Sequence, residues 1–258
     1  MRELESAKVF GARRTSFGAY ARTYDAVRPE WPSKTVAWML GSPTTATVCR
    51  AVDLGAGTGK GSRAIAALGH EVIAVEPSDG MRETLRLSLE SIPAKVARRI
   101  TTLPGGAEDI PVENGSVDAV TVFQAWHWFD AKAAAAECAR VLRQGGWLSM
   151  GWHHRSEDVA WSLELSDIVE RRENLPDEHD APKVGPEFEP FETELFTYGI
   201  RQSVEDLVLL ASTWSYVAIH PERDRVLADV RALGRRVADA DGMVEIPMTT
   251  RCYRLRRG

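Results

Sequence analysis

Val52-Asp53-Leu54-Gly55-Ala56-Gly57-Thr58-Gly59 decides the reading of this chain. The stretch closes a short, valine-rich apolar run (47–54) and opens a helical segment (62–68) that Gly69 stops. Glycines at that junction let the backbone turn tightly and let a ligand approach it closely. Three ligand classes use such loops, and the spacing separates them. A phosphate-cradling GxxxxGK[ST] frame fails, because position 54 is Leu and position 61 is Gly. A GxGxxG or GxGxxA dinucleotide frame starting at Gly55 fails at Lys60. What fits is acidic-x-Gly-x-Gly-x-Gly, led by Asp53.

Working outward, strands and helices alternate. Residues 71–76 read as a second strand. Residues 81–92 carry Met81, Leu85, Leu89 and Ile92 at helical spacing. A third strand is expected at 99–103 and a strongly apolar fourth at 117–123. Asp130 can cap a helix running to Leu142, stopped by Gln144-Gly145-Gly146, and 147–152 makes a fifth strand. Such an alternation means a doubly wound, mostly parallel α/β sheet with helices on both faces. Beyond it, 157–172 suits a helix, and 173–192 is an acidic, proline-rich loop or lid. A sixth strand follows at 191–198, then helices near 204–212 and 221–238, then a last strand at 245–255. The late pair suggests antiparallel pairing at one side of a sheet of about seven strands. The expected organisation is one domain over 1–258. It has a helical N-terminal cap (1–45), a cofactor-binding core (46–155), an insertion (156–190) and C-terminal strands and helices (191–258).

Composition narrows the classes. The chain has 258 residues, 44% of them hydrophobic and 27% charged, enough for a sizeable core and unlike a disordered tail. A net charge of −5 argues against a surface built to bind nucleic-acid backbone. No apolar run is long enough for a membrane span, and MRELESAKVF has no apolar core of a signal peptide. Cys49, Cys138 and Cys252 are isolated and form no CxxC pair, so buried thiols in a reducing, cytoplasmic compartment are expected.

A nucleotide-type ligand also calls for an acid at the end of the second strand, to accept from ribose hydroxyls. Glu76 lies 17 residues beyond Gly59, near the usual spacing of about 20. With this, the sequence resembles the class I S-adenosylmethionine-dependent methyltransferases over about residues 12–155. The carrying segments are VDLGAGTG (52–59), VEPSDGM (75–81), GGAEDIP (105–111), SVDAVTVFQAWHWFD (116–130) and RVLRQGGWLSMGW (140–152). Within the class it looks like the small-molecule branch of quinone-biosynthesis and trans-aconitate-type enzymes. Their helical cap ends in a Tyr…Arg-Pro stretch, here Tyr24, Arg28 and Pro29.

The resemblance implies a Rossmann-like fold and S-adenosylmethionine as methyl donor, leaving S-adenosylhomocysteine. It implies that Asp53, Gly55 and Gly57 hold the methionine part and that Glu76 binds the ribose. Pro77 and Met81 would pack on the adenine, Ala107 and Glu108 lie at its edge, and Gln124 closes the methionine side. Gly106 departs from the pattern: many relatives carry Asp there, which leaves adenine recognition to backbone groups or Glu108. Arg28 could pair with the cofactor carboxylate or with an acidic acceptor.

The acceptor should sit above the carboxyl ends of the strands. His127 follows strand four, and His153 and His154 follow strand five, with Trp126, Trp128, Phe129 and Trp152 beside them. An aromatic rim with a few polar groups suits a small acceptor. His127 is the candidate catalytic base, and Trp126, Trp128, His153 and His154 are candidate substrate contacts. No HxH or HxxxH pair joins these histidines, so no metal is expected. The expected function is methyl transfer to a small molecule, without nucleic acid or membrane as partner. The alternative is a non-catalytic cofactor-binding protein on the same fold.

Overall fold

The structure is a computed structural model that describes residues 25–41, 47–156, 158–169 and 182–258. Most of the expected cap, with Tyr24, and residues 170–181 of the expected insertion lie outside the described residues.

Seven strands form one sheet in the order β3-β2-β1-β4-β5-β7-β6. They are β1 (Arg50–Leu54), β2 (Glu71–Val75), β3 (Ile100–Leu103), β4 (Val117–Phe123), β5 (Leu142–Arg155), β6 (Glu192–Ser203) and β7 (Met243–Arg256). The first five pair in parallel. Strand β7 runs against β5: Arg257 N donates to Gly146 O at one end, and Ser156 N donates to Pro247 O at the other. The last strands are thus antiparallel to their neighbours, as expected. Strand β1 has β2 on one side and β4 on the other, so chain order reverses there. The crevice above the carboxyl ends of β1 and β4 is where ligands of open α/β sheets bind.

By internal contacts the chain divides into two compact units. Among the described residues, one comprises 30–41, 47–153, 182–196 and 250–258, the other 25–29, 154–156, 158–169 and 197–249. In the first, the sheet is covered on both faces, which explains why β4 is apolar nearly throughout. Helices α1 (Ser33–Met39), α2 (Lys60–Ala67) and α3 (Asp79–Glu90) cover one face with Val36, Met39, Ile65 and Leu85. A short helix α4 (Ala94–Ala97) precedes β3. Helix α5 (Ala131–Val141) covers the other face with Ala134, Ala135 and Cys138. Asp130 caps α5 as expected, accepting from Lys132 N and Ala133 N at 3.0 Å. In the second unit, α6 (Ala160–Val169), α7 (Val204–Ser212), α8 (Ser215–Ala218) and α9 (Arg223–Val237) pack around Leu165, Leu207, Val230 and Ile246.

Strand five begins earlier than its sequence suggests. Gly145-Gly146 reads as a helix stop, but α5 already ends at Val141 and both glycines lie inside β5. Gly145, with φ +74°, donates to Arg257 O, and the register against β4 shifts between Val117 and Ala119. The pair makes a bulge in a strand, and a lone sequence cannot distinguish that from a cap. The three cysteines are free and buried, and burial holds their thiols well above the ordinary range. No helix among the described residues is long and apolar enough to cross a membrane.

Helix α2 must sit close on β4 for the glycine loop to reach the crevice, and Gly61 permits it. A Cβ there would lie 2.2 Å from the Phe123 ring, which Trp31 backs at 4.5 Å between centroids. Gly61→Ala should therefore destabilise the chain by ~1–3 kcal/mol, lowering Tm by roughly 3–10 °C, with partial recovery on adding Phe123→Leu. An unchanged Tm in thermal denaturation would show that α2 is not seated this way.

Candidate cofactor and acceptor site

The glycine loop is built from the strand ends upward. Gly55 N and Ala56 N both donate to Val75 O, at 2.9 and 3.1 Å, which folds the loop over the end of β2. Gly57, at φ +57°, has nothing within 4 Å of where a Cβ would be. Its face is open to a ligand, and its φ suits a residue without a Cβ. Gly57 N donates to Glu76 Oε2 at 3.0 Å, and Ser78 N donates to Glu76 Oε1 at 2.9 Å. The buried Glu76 carboxylate thus joins the loop after β1 to the N-terminus of α3, where Ser78 is the cap.

Asp53 is wholly buried beneath the loop. Its Oδ2 accepts from Ser62 Oγ at 2.6 Å, and its Oδ1 has no partner among the described residues. Burial pushes the carboxyl up to about 7. On the same helix as Ser62, the buried Lys60 pairs with Glu30. The sequence alone did not single out Ser62, Ser78 or the Lys60–Glu30 pair. Ser78 carries a readable signal, a serine directly before an acidic first turn. The other two contacts depend on which helix face meets β1.

The second wall comes from the end of β4. Gln124 is the one non-glycine with positive φ among the described residues, at 60°. It is held there by Gln124 N donating to Gly151 O at 2.9 Å and by its side-chain amide donating to His153 O at 3.3 Å. Backbone strain of this kind costs roughly 1–3 kcal/mol and concentrates at functional sites. The chain then crosses the glycine loop: a Cβ on Gly55 would lie 2.9 Å from Ala125 Cβ and 3.0 Å from Phe129. Between those residues a 3-10 turn, Trp126–Trp128, carries His127. Trp152 Nε1 donates to His127 Nδ1 at 3.3 Å, and Trp128 lies tilted against the imidazole at 4.7 Å. Burial lowers the imidazole to about 4.

The other sequence candidates divide. Met81 is buried and Pro77 exposed at the start of α3. Ala107 is buried, and Glu108 Oε1 accepts from Asp130 N at 3.0 Å, so one of its oxygens serves the N-terminus of α5. Trp126 belongs to the core on the α5 face, as does Trp152. His153 belongs to the other face: its ring stacks on Trp31 at 3.7 Å and its Nδ1 lies 2.8 Å from Thr250 Oγ1. It is therefore not grouped with His127, because adjacent strand residues point to opposite faces. His154 and Arg28 belong to the second unit, where Arg28 donates to Thr213 Oγ1 and O at 3.0 and 3.1 Å. An open cleft of about 570 Å³ runs elsewhere on the sheet, lined by Arg50, Glu71, Arg99, Thr101 and Val112. It includes the first residues of β1 and β2 and none of the glycine loop, so it is a different place from the switch-point crevice.

Asp53 generates a test. A carboxyl raised from 3.8 to about 7 on folding holds its proton more tightly in the native state. Its contribution to stability is full below the lower value and is lost as pH rises through the higher one. That loss is on the order of 4 kcal/mol. Asp53→Asn removes it and keeps an acceptor for Ser62. In urea unfolding the variant should gain on wild type as pH rises from about 4 to about 8. Curves that stay parallel over that range would contradict a carboxyl raised by burial.

Residues 52–150 match the family model described as a methyltransferase domain. The chain is 36% identical over 245 residues to the uncharacterized methyltransferase Rv3342 of Mycobacterium tuberculosis, covering 93% of this chain and 94% of that protein. A 98-residue stretch, 38% of either chain, is 37% identical to a demethylmenaquinone methyltransferase of Clavibacter sepedonicus. Among solved structures, a chain from Anaeromyxobacter dehalogenans provisionally named a type II methyltransferase superposes with a TM-score of 0.63 at 23% identity. That match covers 89% of this chain and 97% of that one, and it shows the shared fold. With the glycine loop, the acid after β2 and the sheet order already in place, the chain belongs to the class I S-adenosylmethionine-dependent methyltransferases.

Proposed function

We propose that this protein binds S-adenosylmethionine over Gly57 and transfers its methyl group to a small-molecule acceptor. One observation carries the reading. A buried carboxylate, Glu76, grips the glycine loop while a second, Asp53, keeps an unpartnered buried oxygen beneath it. An open cradle with an orphaned acid below it fits a ligand carrying both a diol and an ammonium group.

In this reading Glu76, which already fixes the glycine loop, accepts from the ribose hydroxyls. Asp53, Gly55 and Gly57 hold the methionine part, and Gln124 closes that side. Met81 and Pro77 pack on the adenine, with Ala107 and Glu108 at its edge. The bound cofactor supplies a methyl already activated by a positive sulfur, so the chain's work is alignment and exclusion of water. His127, with Trp126 and Trp128, faces the acceptor. A small acceptor is supported by the quinone-methylating relative and by an aromatic wall with few polar groups. The net charge of −5 speaks against a nucleic-acid substrate, and the buried free thiols suit a cytoplasmic setting.

Calorimetry should detect binding of S-adenosylhomocysteine and none of NAD; the reverse would sink the reading. Glu76→Ala should weaken S-adenosylhomocysteine roughly 10- to 100-fold, since charge-assisted hydrogen bonds are lost. A variant of unchanged affinity would mean the ribose lies elsewhere. A labelled-methyl screen across small phenols, carboxylic acids and quinone precursors then separates an enzyme from a non-catalytic binder.

A further inference from the structure

Resting on that reading, we propose that Trp152 is a positioning residue that fixes His127 as a neutral imidazole with its proton on Nε2. His127 then serves the acceptor as a hydrogen-bond donor and not as the general base its sequence position suggests. Trp Nε1–H only donates, and Trp152 Nε1 lies 3.3 Å from His127 Nδ1. Nδ1 must therefore offer its lone pair, and in a neutral ring the proton falls to Nε2.

Two further observations bind the pair into the site. Trp152 is buried in the core on the α5 face and backed edge-on by Tyr253 at 6.0 Å, so the indole is held in place. His127 lies in the 125–129 segment, whose ends, Ala125 and Phe129, pack on Gly55 of the glycine loop. Protonating Nδ1 would set its new hydrogen against the indole N–H. The contact thus opposes the cation for the same reason that it selects the tautomer. Burial acts in the same direction.

A proton acceptor needs a free lone pair, and here the indole uses it. What remains for the acceptor is an N–H aimed at a lone pair on that molecule. In the transfer itself, a lone pair of the acceptor forms the bond to the methyl carbon. The carbon–sulfur bond breaks with its pair left on sulfur. Any proton on the attacking atom stays on the methylated product until it is released to bulk solvent, and His127 keeps its own.

Nitrogen-15 NMR of the labelled chain with S-adenosylhomocysteine reads this directly, the His127 signals being those lost in His127→Gln. The expected spectrum shows Nε2 protonated and Nδ1 bare, unchanged from pH 6 to 8. Trp152→Phe should mix the tautomers and raise the titration midpoint by about half a unit to one unit. A wild-type Nδ1–H form, or a Trp152→Phe spectrum identical to wild type, overturns the proposal. The wild-type spectrum decides even if the variant fails to fold. With an acceptor from the labelled-methyl screen, His127→Gln, whose amide nitrogen reaches the Nε2 position, should keep kcat within roughly 10-fold. His127→Asn, which reaches only the Nδ1 position, should lose roughly 100-fold or more. Equal losses in the two would point to basicity and against a donor role. Failure of S-adenosylhomocysteine to bind wild type would count against the cofactor reading and leave the tautomer result standing.

Discussion

The site depends on one carboxylate. Glu76 accepts from Gly57 N and from Ser78 N, so a single buried side chain sets the height of the glycine loop and the starting point of α3. Both donors are backbone groups that would otherwise be unsatisfied, one in a tight loop and one at a helix N-terminus. Removing the acid would orphan them together. The partner of this constraint is the seat of α2 on β4, where the absence of a side chain at Gly61 lets Phe123 lie against the helix. Loop, strand ends and helix start are held from opposite sides of the same crevice.

Several features of the crevice cost stability. Asp53 is buried with one oxygen unpartnered, and Gln124 keeps a left-handed backbone that an ordinary residue adopts only under constraint. Both lie at the carboxyl ends of the strands where the chain order reverses. Around them the sheet is an ordinary close-packed core, with β4 apolar nearly throughout and alanines of α5 allowing close approach. Strain and unmet polarity gathered at one end of a well-packed sheet are what a binding site requires of its scaffold.

Much of this was legible in the sequence because it is local. The run 52–59 states strand, turn and helix within a few residues, and Glu76 follows from its distance to Gly59. Helices such as Val204–Ser212 and strands such as Val117–Phe123 fall where their periodicity puts them. What escaped depends on distant partners. Gly145-Gly146 looks like a helix stop until Arg257 is seen paired across it. The contact between Trp152 and His127 spans 25 residues of sequence, and only the fold brings them together. The separation of His153 from His127 escaped for the same reason, since strand alternation sets His153 apart from Trp152 and only the fold shows that Trp152 meets His127. The division into two units has no local mark, because β5, β6 and β7 each contribute residues to both.

The central claim is that the open face of Gly57, gripped by Glu76 and underlain by Asp53, is where S-adenosylmethionine binds. A crystal structure of the protein with S-adenosylhomocysteine tests it most directly. The account predicts ligand density against Gly57, with the ribose hydroxyls on Glu76 and the methionine end between Asp53 and Gln124. Density in the cleft along β1–β3, or a ribose held by any group other than Glu76, would contradict it.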